Sequence, residues 1–90
     1  MAMNQTLKAI SDPIRRRILE LLRTRSYAAG ELAAQFDLQP ATISYHLKLL
    51  KQAGLISERR EKNFIYYDLN ASVFEEVLSW IYSLGGDNHE

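Results

Sequence analysis

Apolar positions in the first half of the chain recur at the three- and four-residue spacing of amphipathic helices. The pattern predicts four helices, over residues 4–11, 13–24, 29–36 and 40–53. Asp12 is suited to capping the second helix and Pro13 to its first turn. Gly54 is suited to ending the fourth helix in the left-handed conformation. Two N-terminal helices (residues 4–24) therefore precede a helix-turn-helix (residues 29–53), with Ser26 and Tyr27 as a connector.

After Gly54 the sequence changes to short runs typical of strands. Residues 55–69 predict a β-hairpin whose charged tip spans residues 59–63, with Asn63 in the left-handed conformation. A last apolar helix is predicted over residues 72–84, capped by Asn70 or Ser72 and ended by the glycines at 85 and 86, with residues 85–90 as a polar tail. We therefore expect one domain over residues 1–90, mainly α with a β-hairpin wing. Its order, α-α-α-α-β-β-α, is that of a winged helix-turn-helix.

The helix that begins at Pro40 carries two different faces. Ile43, Leu47 and Leu50 form one apolar stripe, and the opposite stripe is short and polar with a single lysine. Side chains that donate and accept hydrogen bonds, together with a basic residue, suit base edges and phosphates. Basic side chains near the hairpin tip are expected to contact phosphates or the adjacent minor groove. The candidate DNA-binding residues are Gln39, Ala41, Thr42, Ser44, Tyr45, His46, Lys48, Arg60 and Lys62.

Two basic features have a structural interpretation beside the DNA-binding one. His46 borders the apolar stripe, so it either contacts a phosphate or lies half-buried and fixes the helix. Arg15, Arg16 and Arg17 are consecutive on a helix, and successive side chains point about 100° apart, so they cannot act as one patch.

Charge is distributed unevenly along a chain whose formal net charge is +0. All 11 Lys and Arg and 6 of the 11 acids lie in residues 1–62, which gives that segment +5, and residues 63–90 carry −5. This asymmetry favours a basic working surface and a separate acidic end. The sequence has no cysteine, so disulfides, thiolate metal sites and thiol redox chemistry are excluded. It also shows no signal peptide and no apolar run near ~20 residues, so we expect a cytoplasmic protein.

Three stretches of the chain resemble the signatures of the ArsR/SmtB family of dimeric winged-helix repressors. They are DPIRRRIL at residues 12–19, ATISYHLKLLKQAGLI at 41–56 and IYYDL at 65–69. Within the family, the short length and the pairing of KAISDP with FIYY resemble the SdpR-like autorepressor branch. The resemblance implies that Arg15 is structural. It also implies that a membrane protein encoded alongside sequesters the repressor.

Two apolar stripes lie at the ends of the chain, and a monomer of 90 residues is too small to cover both. The family dimerises through its first and last helices, and these stripes match that role. The predicted dimer interface consists of Leu7, Ile10, Val73, Val77, Trp80, Ile81 and Leu84.

Metal sensing is common in the family, but the usual thiolate ligands are absent here. The helix over residues 29–36 offers one carboxylate, Glu31, and the remaining candidate ligands are Asp87, His89 and Glu90 in the polar tail. One histidine with flexible carboxylates makes a weak site. We therefore expect neither a metal nor another cofactor.

These observations predict a homodimeric, sequence-specific DNA-binding repressor that acts on an inverted-repeat operator. The resemblance implies that it regulates its own gene. One alternative is a metal- or small-molecule-responsive sensor of the same fold. A second is a winged helix that binds another protein, which the acidic residues Glu58 and Glu61 in the hairpin leave open. No arrangement of catalytic side chains is apparent, so an enzyme is not expected.

Overall fold

The computed structural model describes residues 3–85, which form five helices and three strands. In chain order these are α1 (Met3–Ile10), α2 (Pro13–Thr24), β1 (Tyr27–Ala28), α3 (Ala29–Ala34), α4 (Pro40–Gln52), β2 (Ile56–Glu61), β3 (Phe64–Leu69) and α5 (Ala71–Gly85). The strands form one antiparallel sheet in the order β1-β3-β2. The predicted winged helix-turn-helix is confirmed, with the β2–β3 hairpin as the wing.

One strand is absent from the sequence prediction. Strand β1 begins in the predicted connector, at Tyr27. Its two residues pair with the middle of β3, Tyr27 opposite Tyr67 and Ala28 opposite Tyr66. Two residues are too short for a period-two pattern, so only the pairing with β3 creates this strand. The pairing anchors the base of the wing to the segment between α2 and α3.

The predicted helix ends at Asp12 and Gly54 are confirmed. The Asp12 carboxylate accepts a hydrogen bond from the backbone N–H of Arg15 at 3.1 Å, which caps α2. Gly54 adopts a φ of 77°, and the N–H groups of Gly54 and Leu55 donate to the carbonyls of Lys51 and Leu50, each at 3.0 Å. This pair of bonds is a Schellman motif, which turns the chain directly from α4 into the wing.

The wing is longer and its turn tighter than predicted. Pairing continues to Glu61 opposite Phe64, so the turn is Lys62 and Asn63 alone and not residues 59–63. Lys62, not Asn63, has the positive φ, at 57°. A two-residue hairpin turn requires a positive φ at its first central position, and the register places Lys62 there.

The core lies between the helices and the base of the wing. Its members with almost no exposed surface are Ile18, Leu32, Ile43, Leu50 and Leu55. They come from α2, α3, α4 and the start of the wing, so α4 is held by its apolar stripe against the rest of the domain. Burial of such side chains stabilises the fold by roughly 1.5–3 kcal/mol each.

The apolar face of α5 is only partly covered by its own chain. Val73 and Val77 are buried within the single chain, and their predicted place in the dimer interface stays a prediction. Leu7 and Ile10 on α1 are half-buried. Farther along α5 the large apolar side chains are exposed, namely Leu78, Trp80, Ile81, Tyr82 and Leu84. The helix includes Gly85, and the predicted stop at residue 86 lies outside the described residues.

Candidate nucleic-acid interface

The polar face of α4 is open to solvent. Ala41, Ser44, Tyr45 and Lys48 are all exposed, while Ile43, Leu47 and Leu50 on the opposite face are buried. Tyr45 is the largest of the exposed group, at 57 % exposure. We call the exposed face formed by Ala41, Ser44, Tyr45 and Lys48 the polar ridge. The opposite, buried face holds the helix against the core.

The start of α4 is also accessible. Pro40 occupies the first turn, where its missing N–H leaves no bond unmade. The Gln39 carbonyl accepts from the N–H groups of Thr42 and Ile43 at 2.9 and 3.2 Å. The Gln39 side chain makes no capping bond and is exposed, and Thr42 is half-buried. Both side chains flank the end of the helix that a helix-turn-helix directs toward bases.

His46 lies on the buried side of the helix. It is 9 % exposed, and its Nδ1 atom is 3.1 Å from Nη1 of Arg15. A guanidinium only donates hydrogen bonds, so Nδ1 accepts and the ring proton lies on Nε2. This geometry favours the structural interpretation of His46, and its contact with DNA stays a prediction.

Arg15 joins three helices beneath the polar ridge. Its Nε donates to the carbonyl of Ala9 at 2.8 Å and its Nη2 to the carbonyl of Lys8 at 3.3 Å, both in the last turn of α1. With the bond to His46, the buried guanidinium connects α1, α2 and α4. The structural role implied for Arg15 therefore matches its contacts, although its acceptors are chiefly carbonyl oxygens and an imidazole.

Asp12 completes this cluster. Burial opposes ionisation of its carboxyl group, but the hydrogen bond from the backbone N–H of Arg15 and the charge of Arg15 outweigh it and lower the pKa of Asp12. The neighbouring arginines point elsewhere: Arg16 donates to the carbonyls of Ile10 and Ser11, and Arg17 pairs with Glu20. The run at residues 15–17 therefore has three separate environments.

The basic residues of the wing fall into two groups. Arg59 pairs with Asp68 and Glu61, each at 3.0 Å, and the hydrogen bond that its Nε donates to Asp68 is the main reason why the pKa of Arg59 is raised. Asp68 also accepts from the Ser26 hydroxyl, which with Arg59 lowers the pKa of that carboxyl. Arg60 and Lys62 are exposed, and their side chains have no hydrogen bond or ion pair within residues 3–85. These two are therefore the wing cations available to a partner.

An ion pair links the end of α4 to the wing. Lys51 Nζ lies 3.2 Å from Oε1 of Glu58, beside a cavity of about 170 Å³. The cavity is lined by Ser44, Leu47, Lys48, Lys51, Glu58 and Tyr67. Burial, then the charge of Glu58, raises the pKa of Tyr67. The sequence prediction omitted Lys51, although its position seven residues after Ser44 places it on the same edge of the helix.

A second cavity flanks the other edge of α4. Its volume is about 260 Å³, and its lining combines α1, α2 and α4 through Gln5, Lys8, Ala9, Arg15, Tyr45 and Leu49. Lys8 was also omitted from the predicted site, because only the packing of α1 brings it to this helix. The polar ridge of α4 thus has a partly basic recess on each side.

Comparison with known proteins identifies the family and confirms the fold. A family model described as "Bacterial regulatory protein, arsR family" matches residues 12–58, from the cap of α2 through α4 into the wing. The chain belongs to the bacterial ArsR family. The matched region contains Arg15, His46 and the whole polar ridge, whereas Lys8 and Ala9 lie before it.

Individual relatives extend the match over nearly the whole chain. It is 46 % identical to "Transcriptional repressor SdpR" of Bacillus subtilis over 88 residues, which cover 96 % of this chain and 98 % of that one. An "Arsenical resistance operon repressor" of Staphylococcus aureus is 32 % identical over 80 % of this chain and 69 % of its own. The solved structure of an "ArsR-like Transcriptional Regulator" from Rhodococcus sp. RHA1 has the same fold, with a TM-score of 0.88 at 22 % identity over 94 % of this chain and 78 % of that one.

The candidate metal ligands of this ArsR-family chain lie in the tail. Asp87, His89 and Glu90 fall outside the described residues. Within residues 3–85, no group of three or more His, Cys, Asp or Glu side chains is placed to hold a metal ion. In the same part of the chain, no helix combines the length and the apolar character needed to cross a membrane.

Proposed function

We propose that this ArsR-family protein is a sequence-specific DNA-binding repressor that acts as a homodimer in the bacterial cytoplasm. The observation that carries the proposal is the polar ridge of α4, exposed along Ala41, Ser44, Tyr45 and Lys48 and held from behind by buried side chains. A major groove admits one α-helix, and its base edges are read by such side chains. The similarity to a protein named as a transcriptional repressor supports the regulatory outcome.

In the proposed complex the wing lies on the flanking backbone or minor groove. Arg60 and Lys62 supply its contacts, because their charges are not used within the domain, whereas Arg59 is held by two carboxylates. Gln39 and Thr42 contact bases or phosphates at the start of α4. Tyr45 and Ser44 carry the sequence preference of the helix.

The dimer forms through the last turns of α5 together with α1. Trp80, Ile81 and Leu84 remain between 41 % and 60 % exposed in the single chain, with Leu78 and Tyr82 beside them. An apolar surface of this kind on a small domain marks an interaction site. Two-fold symmetry then requires an inverted-repeat operator whose half-sites lie about one helical turn, or a multiple of it, apart.

The experiment is a fluorescence-anisotropy titration against the DNA upstream of the protein's own gene and against a scrambled duplex. We expect the double variant Ser44→Ala/Tyr45→Ala to lose much more affinity for the upstream duplex than for the scrambled one, since base contacts carry the sequence preference. Lys62→Gln is the matched variant in the wing, and it should lower the affinity for both duplexes by the same factor. Equal losses for both duplexes in the double variant would restrict Ser44 and Tyr45 to phosphate contacts and contradict the assigned readout.

Release from DNA is not assigned to a metal. A change in affinity on adding zinc, nickel or cadmium would favour the sensor alternative. Neither the described residues nor the matched relatives support the membrane-protein partner expected from the resemblance, and the proposal does not include it. Autoregulation is tested by the same titration, because it requires the protein to bind upstream of its own gene.

A further inference from the structure

The cavity between α1, α2 and α4 has the chemistry of an anion site. The polar residues that line it are Lys8, Arg15, Gln5 and Tyr45, whose side chains end in an ammonium, a guanidinium, an amide and a hydroxyl group. Among residues 3–85, no carboxylate lines it. Asp12 is near Arg15 but is not among the lining residues. Its carboxylate accepts from the Arg15 backbone N–H and lies 4.0 Å from Nδ1 of His46.

Arg15 is only partly used by its contacts within the domain. A guanidinium carries five N–H hydrogens. Three of them are directed at the carbonyls of Ala9 and Lys8 and at His46. The side chain is buried and also lines the cavity, so two hydrogens remain for an occupant. A buried donor with unused hydrogens favours a nearby acceptor. Among the possible acceptors, an anion forms the strongest hydrogen bond with a guanidinium, because both groups are charged.

The repulsion expected from the end of α1 is neutralised in the structure. The carbonyl oxygens at a helix C-terminus carry partial negative charge, which disfavours an anion nearby. Here Arg15 donates to the carbonyls of Lys8 and Ala9, and Arg16 donates to those of Ile10 and Ser11 at 2.9 and 3.0 Å. The Lys8 side chain has no hydrogen bond or ion pair within residues 3–85, so its charge is available to the cavity.

We propose that this cavity is a phosphate-binding site formed by Lys8, Gln5, Arg15 and Tyr45. Because Tyr45 belongs both to the cavity and to the polar ridge of α4, the site lies where a DNA strand passes a helix in the major groove. The phosphate is then a phosphodiester of that strand, an assignment that rests on the proposed function. A free phosphate group offers the same oxygens, and the experiment separates the two sources.

The test combines DNA titration with phosphate titration of the intact protein. Lys8→Gln should reduce affinity for the upstream and the scrambled duplex by the same factor. It should also make the dependence of log affinity on log salt shallower by about 0.9, the value of one lost phosphate contact. Between 50 and 200 mM salt this difference amounts to roughly 3.5-fold in affinity. In NMR spectra of the free protein, inorganic phosphate should shift the amide signals of Ala9 and Tyr45, and Lys8→Gln should abolish the shifts.

Arg23→Gln is the matched control. Arg23 is an exposed cation of α2 that lines a separate apolar cavity with Leu19, Leu69 and Phe74, so its loss removes a charge without touching α4. It should leave the phosphate shifts unchanged.

Each outcome decides the proposal. A shallower salt dependence together with phosphate shifts confirms the site and assigns it to the DNA backbone. Phosphate shifts that depend on Lys8, with unchanged DNA binding, confirm the site and assign it to a free phosphate group. If the wild type binds no duplex but shows these shifts, the proposed function fails while the site stands. Absence of the shifts, or equal effects of Lys8→Gln and Arg23→Gln, overturns the site.

Discussion

Replacing Glu58 with Gln tests how the wing limits binding to phosphates. Glu58 is the carboxylate beside the recess formed by Ser44, Lys48 and Lys51, and it pairs with Lys51 at 3.2 Å. An acid at this point neutralises Lys51 and repels the DNA backbone. Glu58→Gln keeps the shape of the side chain, removes its charge and releases Lys51 for a phosphate. We therefore expect binding to tighten, chiefly for DNA of any sequence.

The exposure of the Lys51–Glu58 pair sets how much Glu58→Gln changes stability and DNA affinity. The two side chains are 52 % and 37 % exposed, and an exposed pair contributes roughly 0–1 kcal/mol to stability, so the unfolding midpoint should hardly change. One added phosphate contact steepens the dependence of log affinity on log salt by about 0.9. The scrambled duplex should gain affinity more than the upstream duplex, whose base contacts already fix the position of α4.

The assay is anisotropy titration of both duplexes at several salt concentrations. Glu61→Gln is the control, because Glu61 also lies in β2 but pairs with Arg59, away from α4. The reasoning about Glu58 is refuted if Glu58→Gln leaves the salt dependence unchanged, or if Glu61→Gln steepens it equally.

Three further changes probe stability and assembly. Arg15→Met leaves the Ala9 carbonyl and Nδ1 of His46 without the donor that Arg15 supplies, and it should lower the free energy of unfolding by about 3 kcal/mol in urea titrations; a loss below about 1 kcal/mol would contradict its joining role. Gly54→Ala should cost about 1–2 kcal/mol from its φ of 77° alone, since the new Cβ meets only an ordinary 3.7 Å contact, and a neutral result would contradict this. Trp80→Glu should give monomers in sedimentation experiments and abolish operator binding, and a monomer that still binds tightly would exclude the proposed dimer.

Local signals were sufficient for the main elements of the fold. Asp12, Pro40 and Gly54 mark helix ends through their own backbone and side-chain chemistry, so α2 and α4 could be placed from sequence. The two-residue strand β1 and the positive φ of Lys62 depend on pairing with β3. The partner of β1 lies far along the chain and leaves no pattern in its two residues, and the register of the β2–β3 hairpin decides which turn residue has the positive φ, which is why both were missed.

The same division applies to the candidate site. Helical periodicity identified the exposed face of α4, because burial of Ile43, Leu47 and Leu50 follows directly from spacing. The burial of His46 follows from its contact with Arg15, 31 residues earlier, which no spacing rule contains. The recess lined by Lys8 depends likewise on how α1 packs beside α4.

The most direct test of the central claim is selection of duplexes from a random-sequence library with the purified protein, followed by anisotropy titration of the enriched sequence. The account predicts enrichment of an inverted repeat with half-sites about one helical turn, or a multiple of it, apart. It also predicts selective binding to that sequence, with log affinity falling as log salt rises. If no sequence is enriched and no duplex is bound even at low salt, the protein is not a DNA-binding repressor, and its winged helix serves to bind another protein.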